Sequence, residues 1–399
     1  RSRRTASRKQ GRSMCEIFGN YGWKEGVRLE AYLADHFMVR GINHYVPHAF
    51  SAKAFPDSDC PPHFYAHGHN PQYRYFGVLM KYMNRICNLI SGGRHESEAA
   101  ILYHGDAEWT GMTCMYIQEP ARVLTEAQIG FDFVPSDIFT DGCYQVDLSN
   151  GMKVHTQEYK IFIIPEADYI TVETAEAIVK LGRQGFPCVF VNAYPKGLCS
   201  QIELDKEAIL LEEIKENTEL VRLTELVDYM RQRKMPQIQL RPAEKFIRSY
   251  QYYGEPEILY LVNEGKETYK GSIRLPGKTE MCYRYDAWEN CLESLNIRIR
   301  TKQSEIPGDG EAETELEIEV QIEPGKSWII VFDQGMPVNL KERSLCQTKH
   351  KLKIETNWKR SVCKSIDYPE FGQSELVSLP DFAEKEMPDF AGLLRYEQD

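Results

Sequence analysis

The sequence has no Cys-x-x-Cys pair, no G-x-G-x-x-G after a strand-like run, no Walker A motif and no uninterrupted apolar run near the ~20 residues of a membrane span. These absences remove support for a structural zinc ribbon, a nucleotide site and a spanning helix. Its 11 cysteines are odd in number and follow no repeated spacing. They read as free thiols of a reducing compartment rather than a disulfide framework. Positive charge is in short supply, 48 Lys and Arg against 59 Asp and Glu for a net charge of −11. That excludes a nucleic-acid groove or an anionic membrane surface as the main partner.

What is present describes an ordinary globular chain. Its 399 residues, 42% hydrophobic and 27% charged, imply two to four domains. Aromatics are plentiful, with 23 Tyr. Flat rings with polar edges suit sugar faces, although β-rich cores use them as well, and composition alone favours the cores.

Two stretches organise the N-terminal part, MCEIFGNYGW from Met14 and GINHYVPHAF from Gly41. Each reads as a short buried strand that ends in a loop of aromatics, His and Asn. Between them Val27, Leu29, Tyr32, Leu33, Phe37 and Met38 recur near helical spacing, and Gly41 supplies the stop. Strand, helix and strand at this spacing make one βα repeat. Ser51 to Tyr75 has no periodicity and reads as a long loop that its aromatics keep ordered. A helix over Phe76–Ile90 and the stop at Ser91-Gly92-Gly93 close a first domain, 1–92; residues 1–12 read as a preceding surface helix.

From residue 93 to 240 strands alternate with helices. EAAILYHG, Phe131–Val134, YKIFIIPEA and PCVFVNAYP read as strands, and Met112–Ile129, Thr171–Gly185 and Leu223–Lys234 as helices. Continuous apolar strands of this kind imply a parallel sheet covered on both faces. From Phe246 seven short alternating strands follow at roughly ten-residue spacing, the pattern of a β-sandwich over 241–345. A polar joint at Arg343–Lys349 then leads into a last β segment, 346–399, that begins LKIETNWKRSV.

The two strand-end motifs together resemble the last two strands of a retaining (β/α)8-barrel glycoside hydrolase of the β-galactosidase kind, as in families 35 and 42. The middle segment resembles the flavodoxin- or amidotransferase-like domain that follows the barrel in family 42. PDFAGLLRYEQD resembles the opening of the jelly-roll sugar-binding domain of family 2. The fold class implied is multidomain α/β plus all-β: a partial (β/α)8 barrel, a flavodoxin/amidotransferase-like α/β domain, a β-sandwich and a truncated jelly roll. The function implied is cleavage of terminal, β-galactoside-like glycosides by retaining double displacement. Glu16 is then the nucleophile. The acid/base residue belongs to a barrel strand this chain does not contain, so the fragment is expected to be inactive alone.

The resemblance also implies a substrate-binding set of Tyr21, Trp23, Asn43, Tyr45, His48 and Phe50. The expected substrate is an oligo- or disaccharide, with no cofactor, no metal, no nucleic acid and no membrane. Self-association through the α/β domain is expected, in the cytoplasm. Secretion stays open, because the chain opens on Arg1 and stops inside a strand-like stretch, as a piece of a longer protein would.

Read residue by residue, Glu16 sits where a rigidly held nucleophile must, although a solvated strand-edge Glu would look the same. Glu25 is set aside as part of a helix start. Alternation puts Asn43 and Tyr45 on one face and His44 and Val46 on the other, and leaves open which is inward. The histidines at 36, 44, 48, 63, 67 and 69 show no convincing metal-ligand spacing. Asp106, Glu108 and Trp109 follow the first α/β strand and could touch a ligand, with packing or an interface the favoured use. An amidotransferase would need a Cys at a strand exit, but Asn192 and Ala193 stand there and Cys188 lies inside the strand. The alternatives are a non-catalytic carbohydrate-binding or assembly protein built from the same modules, and a rhamnosidase-type barrel glycosidase.

Overall fold

The computed structural model describes residues 11–199, 202–235, 238–278, 281–302, 313–332, 340–341, 357–381 and 383–398. The expected joint at Arg343–Lys349 and the first ten residues of the expected N-terminal helix lie outside them. Among the described residues no helix is long and apolar enough to cross a membrane.

The chain divides into two compact units. The smaller holds Met14–Ala34, His44–Arg85 and the described residues of Glu342–Asp399. Strands β1 (Met14–Ile17) and β2 (His44–Pro47) pair in parallel, with Glu16 opposite Val46. Helix α1 (Val27–Met38) connects them, as the spacing requires, and α2 (Tyr73–Leu89) follows the long loop. This parallel pair is what two consecutive βα units would contribute. Among the described residues its sheet has two strands and does not close into a barrel. Gly41 ends the α1 turn at φ +85°, where its N–H donates to the Met38 carbonyl.

The larger unit contains Asp35–Asn43 and Ile86–Lys341. Its α/β part carries a five-stranded sheet. In chain order the strands are β3 (Ala99–Tyr103), β4 (Phe131–Pro135), β5 (Ile161–Ile164), β6 (Cys188–Val191) and β7 (Glu219–Val221). They lie side by side as β7-β6-β5-β3-β4, all parallel. Counted from the first strand, that is the 2-1-3-4-5 order of flavodoxin-like sheets. One face packs Leu102, Phe162, Ile164 and Phe190; the other packs Ile101, Ile163, Val189 and Val191. Both faces are covered, which is why the strands read as unbroken apolar runs.

Several helices differ from their expected bounds. The stretch 112–129 is helical only over Gln118–Glu126, with Pro120 in the first turn, where no N–H is needed. Leu223–Lys234 is a short 3₁₀ turn followed by a helix over Leu226–Gln232. The helix Leu204–Asn217 was not read from the sequence: it buries only Ile214 fully, so it shows little periodicity despite good helix formers. A three-stranded meander over 146–159 was also not anticipated.

Beyond Gln239 two mostly antiparallel sheets, with four and six strands from this region among the described residues, enclose a shared core. Alternate residues point into it: Leu259 and Leu261, Ile273 and Leu275, Leu316, Ile318 and Val320, Trp328 and Ile330. A short strand at Arg94–His95 extends the larger sheet by pairing with Tyr252–Tyr253. The Gln128 side chain donates to the Ile247 carbonyl at 2.8 Å, tying the α/β part to the sandwich.

The last turn of α1 is fixed to this sandwich by a buried ion cluster. The Glu264 side chain, 7% exposed, accepts from Arg40 Nη1 at 2.6 Å and Arg248 Nε at 2.6 Å, and lies 2.7 Å from His36 Nδ1. Burial alone would raise this carboxyl. The hydrogen bonds from His36 and Arg40 and the charges of Arg40 and Arg248 outweigh it and hold the group far below the ordinary carboxylate range. Tyr260 adds a buried bond of 2.6 Å to Asp35.

At the C-terminal end a three-stranded antiparallel sheet holds Trp358–Lys364 between Glu375–Val377 and Gly392–Glu397. Its buried Arg360 is saturated by Glu375, Asp381 and Glu386.

Candidate active site

Glu16 lies on β1 with its side chain exposed, between half-buried Cys15 and buried Ile17. The chain turns sharply after Ile17, with Phe18 and Asn20 at positive φ. The exits of the two parallel strands are bonded together: the His48 N–H donates to the Ile17 carbonyl at 2.8 Å. The His48 ring lies against Gly19 so closely that a Cβ there would stand 3.3 Å from it. Its Nδ1 is buried without a hydrogen bond. Glu16 and His48 therefore belong to the exits of adjacent parallel strands.

The long loop is ordered, as its aromatics suggested. Trp23 meets Phe55 and His63 edge-on at 5.6 and 5.8 Å, and Phe55 stacks on His69 at 4.1 Å. Phe50 packs edge-on against Phe64, Tyr73 and Phe76. Backbone bonds from Gly22 to Pro61 and from Phe64 to Ala49 fasten the loop to both strand exits. Tyr21, Trp23 and Phe50 remain exposed, and Tyr45 is half-buried. The alternation along β2 thus turns Tyr45 inward and His44 and Val46 outward.

Asn43 falls in the larger unit and is committed to the backbone. Its Oδ1 accepts from Ser13 N–H, and its Nδ2 donates to Ser91 Oγ at 2.7 Å and the Ile90 carbonyl at 3.2 Å. The histidines of the loop also have local tasks: His63 Nε2 bonds the Asp59 carbonyl and His67 Nε2 the Lys53 carbonyl. Among the described residues no three His, Cys, Asp or Glu side chains converge as a metal site requires.

Two carboxyls here were missed by sequence reasoning. Glu25 precedes α1 and Glu30 lies in its first turn, and both are buried, 6% and 4% exposed. Both oxygens of Glu25 and Oε2 of Glu30 are buried without a hydrogen-bond partner. Burial, then the charge of Glu30, pushes Glu25 up to about 7; burial pushes Glu30 up to about 7. Glu25 is therefore no solvated helix start. Its position two residues after the exposed Trp23 carried no signal of this.

No protein-family model matches the sequence, and no curated protein matches it. Solved structures do. The rhamnosidase from Novosphingobium sp. PP1Y is similar with a TM-score of 0.67 at 14% identity, over 97% of this chain and 37% of that one. Gan42B, a GH42 β-galactosidase from G. stearothermophilus, is similar with a TM-score of 0.53 at 11% identity, over 81% of this chain and 54% of that one. At these identities the likeness is one of fold. The chain shares the architecture of parts of multidomain glycoside hydrolases and spans from about a third to about half of their length.

Proposed function

We propose that this chain is part of a glycoside hydrolase that cleaves terminal glycosides by retaining double displacement, with Glu16 as the nucleophile. The observation that carries the reading is the position of Glu16. Glu16 lies exposed on β1, whose exit is bonded to the His48 exit of β2, and exposed Tyr21, Trp23 and Phe50 follow the two strands in sequence, in a fold whose structural neighbours are glycoside hydrolases. In this mechanism Glu16 attacks the anomeric carbon and the glycosidic C–O bond breaks. A second carboxylic acid delivers its proton to the leaving oxygen, then takes one from the water that releases Glu16. That second group belongs to a part of the protein beyond this chain, so the chain alone is inactive. Aromatic faces stack on the apolar face of the sugar ring, and His48 bonds a hydroxyl. The α/β part serves self-association, and the protein works in the cytoplasm.

The sugar is β-galactoside-like on the resemblance of the strand-end motifs. A rhamnosidase-type choice is equally consistent with the structural matches. A panel of aryl glycosides offered to the complete protein decides between them. In that protein Glu16→Gln is expected to lower turnover on the order of 10⁴-fold, the scale of losing an acting nucleophile. Azide should partly rescue Glu16→Ala, with inversion at the anomeric carbon. Glu25→Gln should leave turnover almost unchanged. Near-normal turnover in both Glu16 variants would remove the assignment.

A further inference from the structure

The α/β part carries features that the proposed hydrolysis does not use. In open parallel sheets ligands bind beyond the carboxyl ends of the strands, at the point where strand order reverses. The order β7-β6-β5-β3-β4 places that point between β3 and β5. The segment leaving β3 is 104–116, and the one leaving β5 is 165–168. They are pinned together, since Met115 N–H donates to the Glu166 carbonyl at 2.7 Å and Asp168 N–H to the Thr113 carbonyl at 2.8 Å. Thr110 Oγ1 closes the turn internally by bonding the Ala107 carbonyl and accepting from Met112 N–H.

This fastened loop presents apolar side chains to solvent. Trp109 is 85% exposed, and Tyr103, Met112 and Tyr116 are exposed beside it in sequence. Beneath the loop His104 is 3% exposed, and its ring nitrogens face the Leu102 and Met115 carbonyls without a hydrogen bond of normal geometry. Burial lowers its pKa, so the ring is neutral. Asp106 is held in place by Ser136 Oγ at 2.5 Å.

We propose that this switch point is a second carbohydrate-binding site, taking a neutral oligosaccharide whose ring stacks on Trp109. The chemistry selects this ligand. From His95 to Ala121 there is no Lys or Arg, Asp106, Glu108 and Glu119 bring negative charge, and the Lys196 ammonium at the pinned segment is paired with Asp168 at 2.8 Å, so phosphates and other anions are disfavoured. A rigid indole face beside carboxylates and a buried neutral imidazole suits a polyol ring, which offers apolar C–H faces and hydroxyl donors. The proposal rests on the glycosidase reading for its class of ligand, but its test reads binding and not turnover.

The experiment is affinity electrophoresis of the complete protein in gels containing neutral polysaccharides: galactan, xyloglucan, galactomannan and mixed-linkage glucan. At least one should retard the protein. Trp109→Ala should weaken that retardation about tenfold, the scale of one lost stacking contact of roughly 1.4 kcal/mol. Glu16→Gln should not reduce it, which separates this site from the hydrolytic one. Aryl glycoside turnover by Trp109→Ala should match the parent. Retardation by none of the four gels overturns the proposal, as does equal retardation of Trp109→Ala and parent. So does light scattering in which Trp109→Ala lowers the oligomeric mass with retardation intact, since the patch is then an interface between copies.

Discussion

Glu264 in the larger unit and the pair Glu25 and Glu30 in the smaller all have side chains largely removed from water, yet they titrate in opposite directions. Burial pushes all three carboxyls upward. Glu264 is overruled by two arginines and a histidine within hydrogen-bond distance, whereas both oxygens of Glu25 and Oε2 of Glu30 are buried without a hydrogen-bond partner. Partner count, and not depth, sets the protonation state of a buried acid here.

The largest break in this comparison is Glu264→Gln. It leaves Arg40 and Arg248 without their counter-charge, and loss of one member of a buried ion cluster costs on the order of 3 kcal/mol or more. Chemical denaturation at pH 7 should show it. The deficit should narrow below about pH 4, because a depressed carboxyl contributes stability above its unfolded pKa of about 4.3 and loses it as pH falls. A deficit independent of pH would mean packing, not charge, holds Asp35–Asn43 to the sandwich.

Glu25→Gln or Glu30→Gln should act the other way. A carboxyl raised in the folded state keeps a proton that the unfolded chain has released, so stability declines as pH climbs from about 4.3 to about 7 and is level beyond. A rise from 4.5 to about 7 corresponds to roughly 3 kcal/mol at about 1.4 kcal/mol per unit. Each variant should therefore melt higher than the parent at pH 8, with the gain fading toward pH 4. Destabilisation at pH 8 would show that the pair has partners of its own.

Hydrogen exchange followed region by region sharpens the contrast by a smaller margin. Acidification below about pH 4 should loosen amides of Asp35–Asn43, and alkalinisation from pH 6 to 8 those around Glu25. Both regions responding in the same direction would contradict the opposed shifts. The smallest effect is a control without a titrating group. Thr171 caps its helix by accepting from the Thr174 N–H at 3.2 Å, and Thr171→Ala should cost about 1 kcal/mol equally at pH 5 and pH 8.

Much of the architecture was legible because it is periodic. Continuous apolar runs such as IFII and CVFV record strands covered on both faces, and the alternation of EILYLVN records a strand in a two-sheet core. The parallel β1–α1–β2 unit follows from strand-sized runs at crossover distance, and the Gly41 stop from the one backbone region that glycine enters freely. Elements that bury one residue, such as Leu204–Asn217, leave little trace in the pattern and were lost.

The chain's own sequence thus determined which segments are strands or helices and which loop stays ordered, since those depend on neighbours a few residues away. Tertiary structure alone decided the rest. It set the strand order that creates a switch point beside Trp109 and committed the Asn43 amide to Ser13, Ile90 and Ser91. It also gave Glu264 partners from positions 36, 40 and 248 while leaving Glu25 with none. The charge state of a buried acid is set by groups that arrive from far along the chain, and no local pattern encodes their arrival.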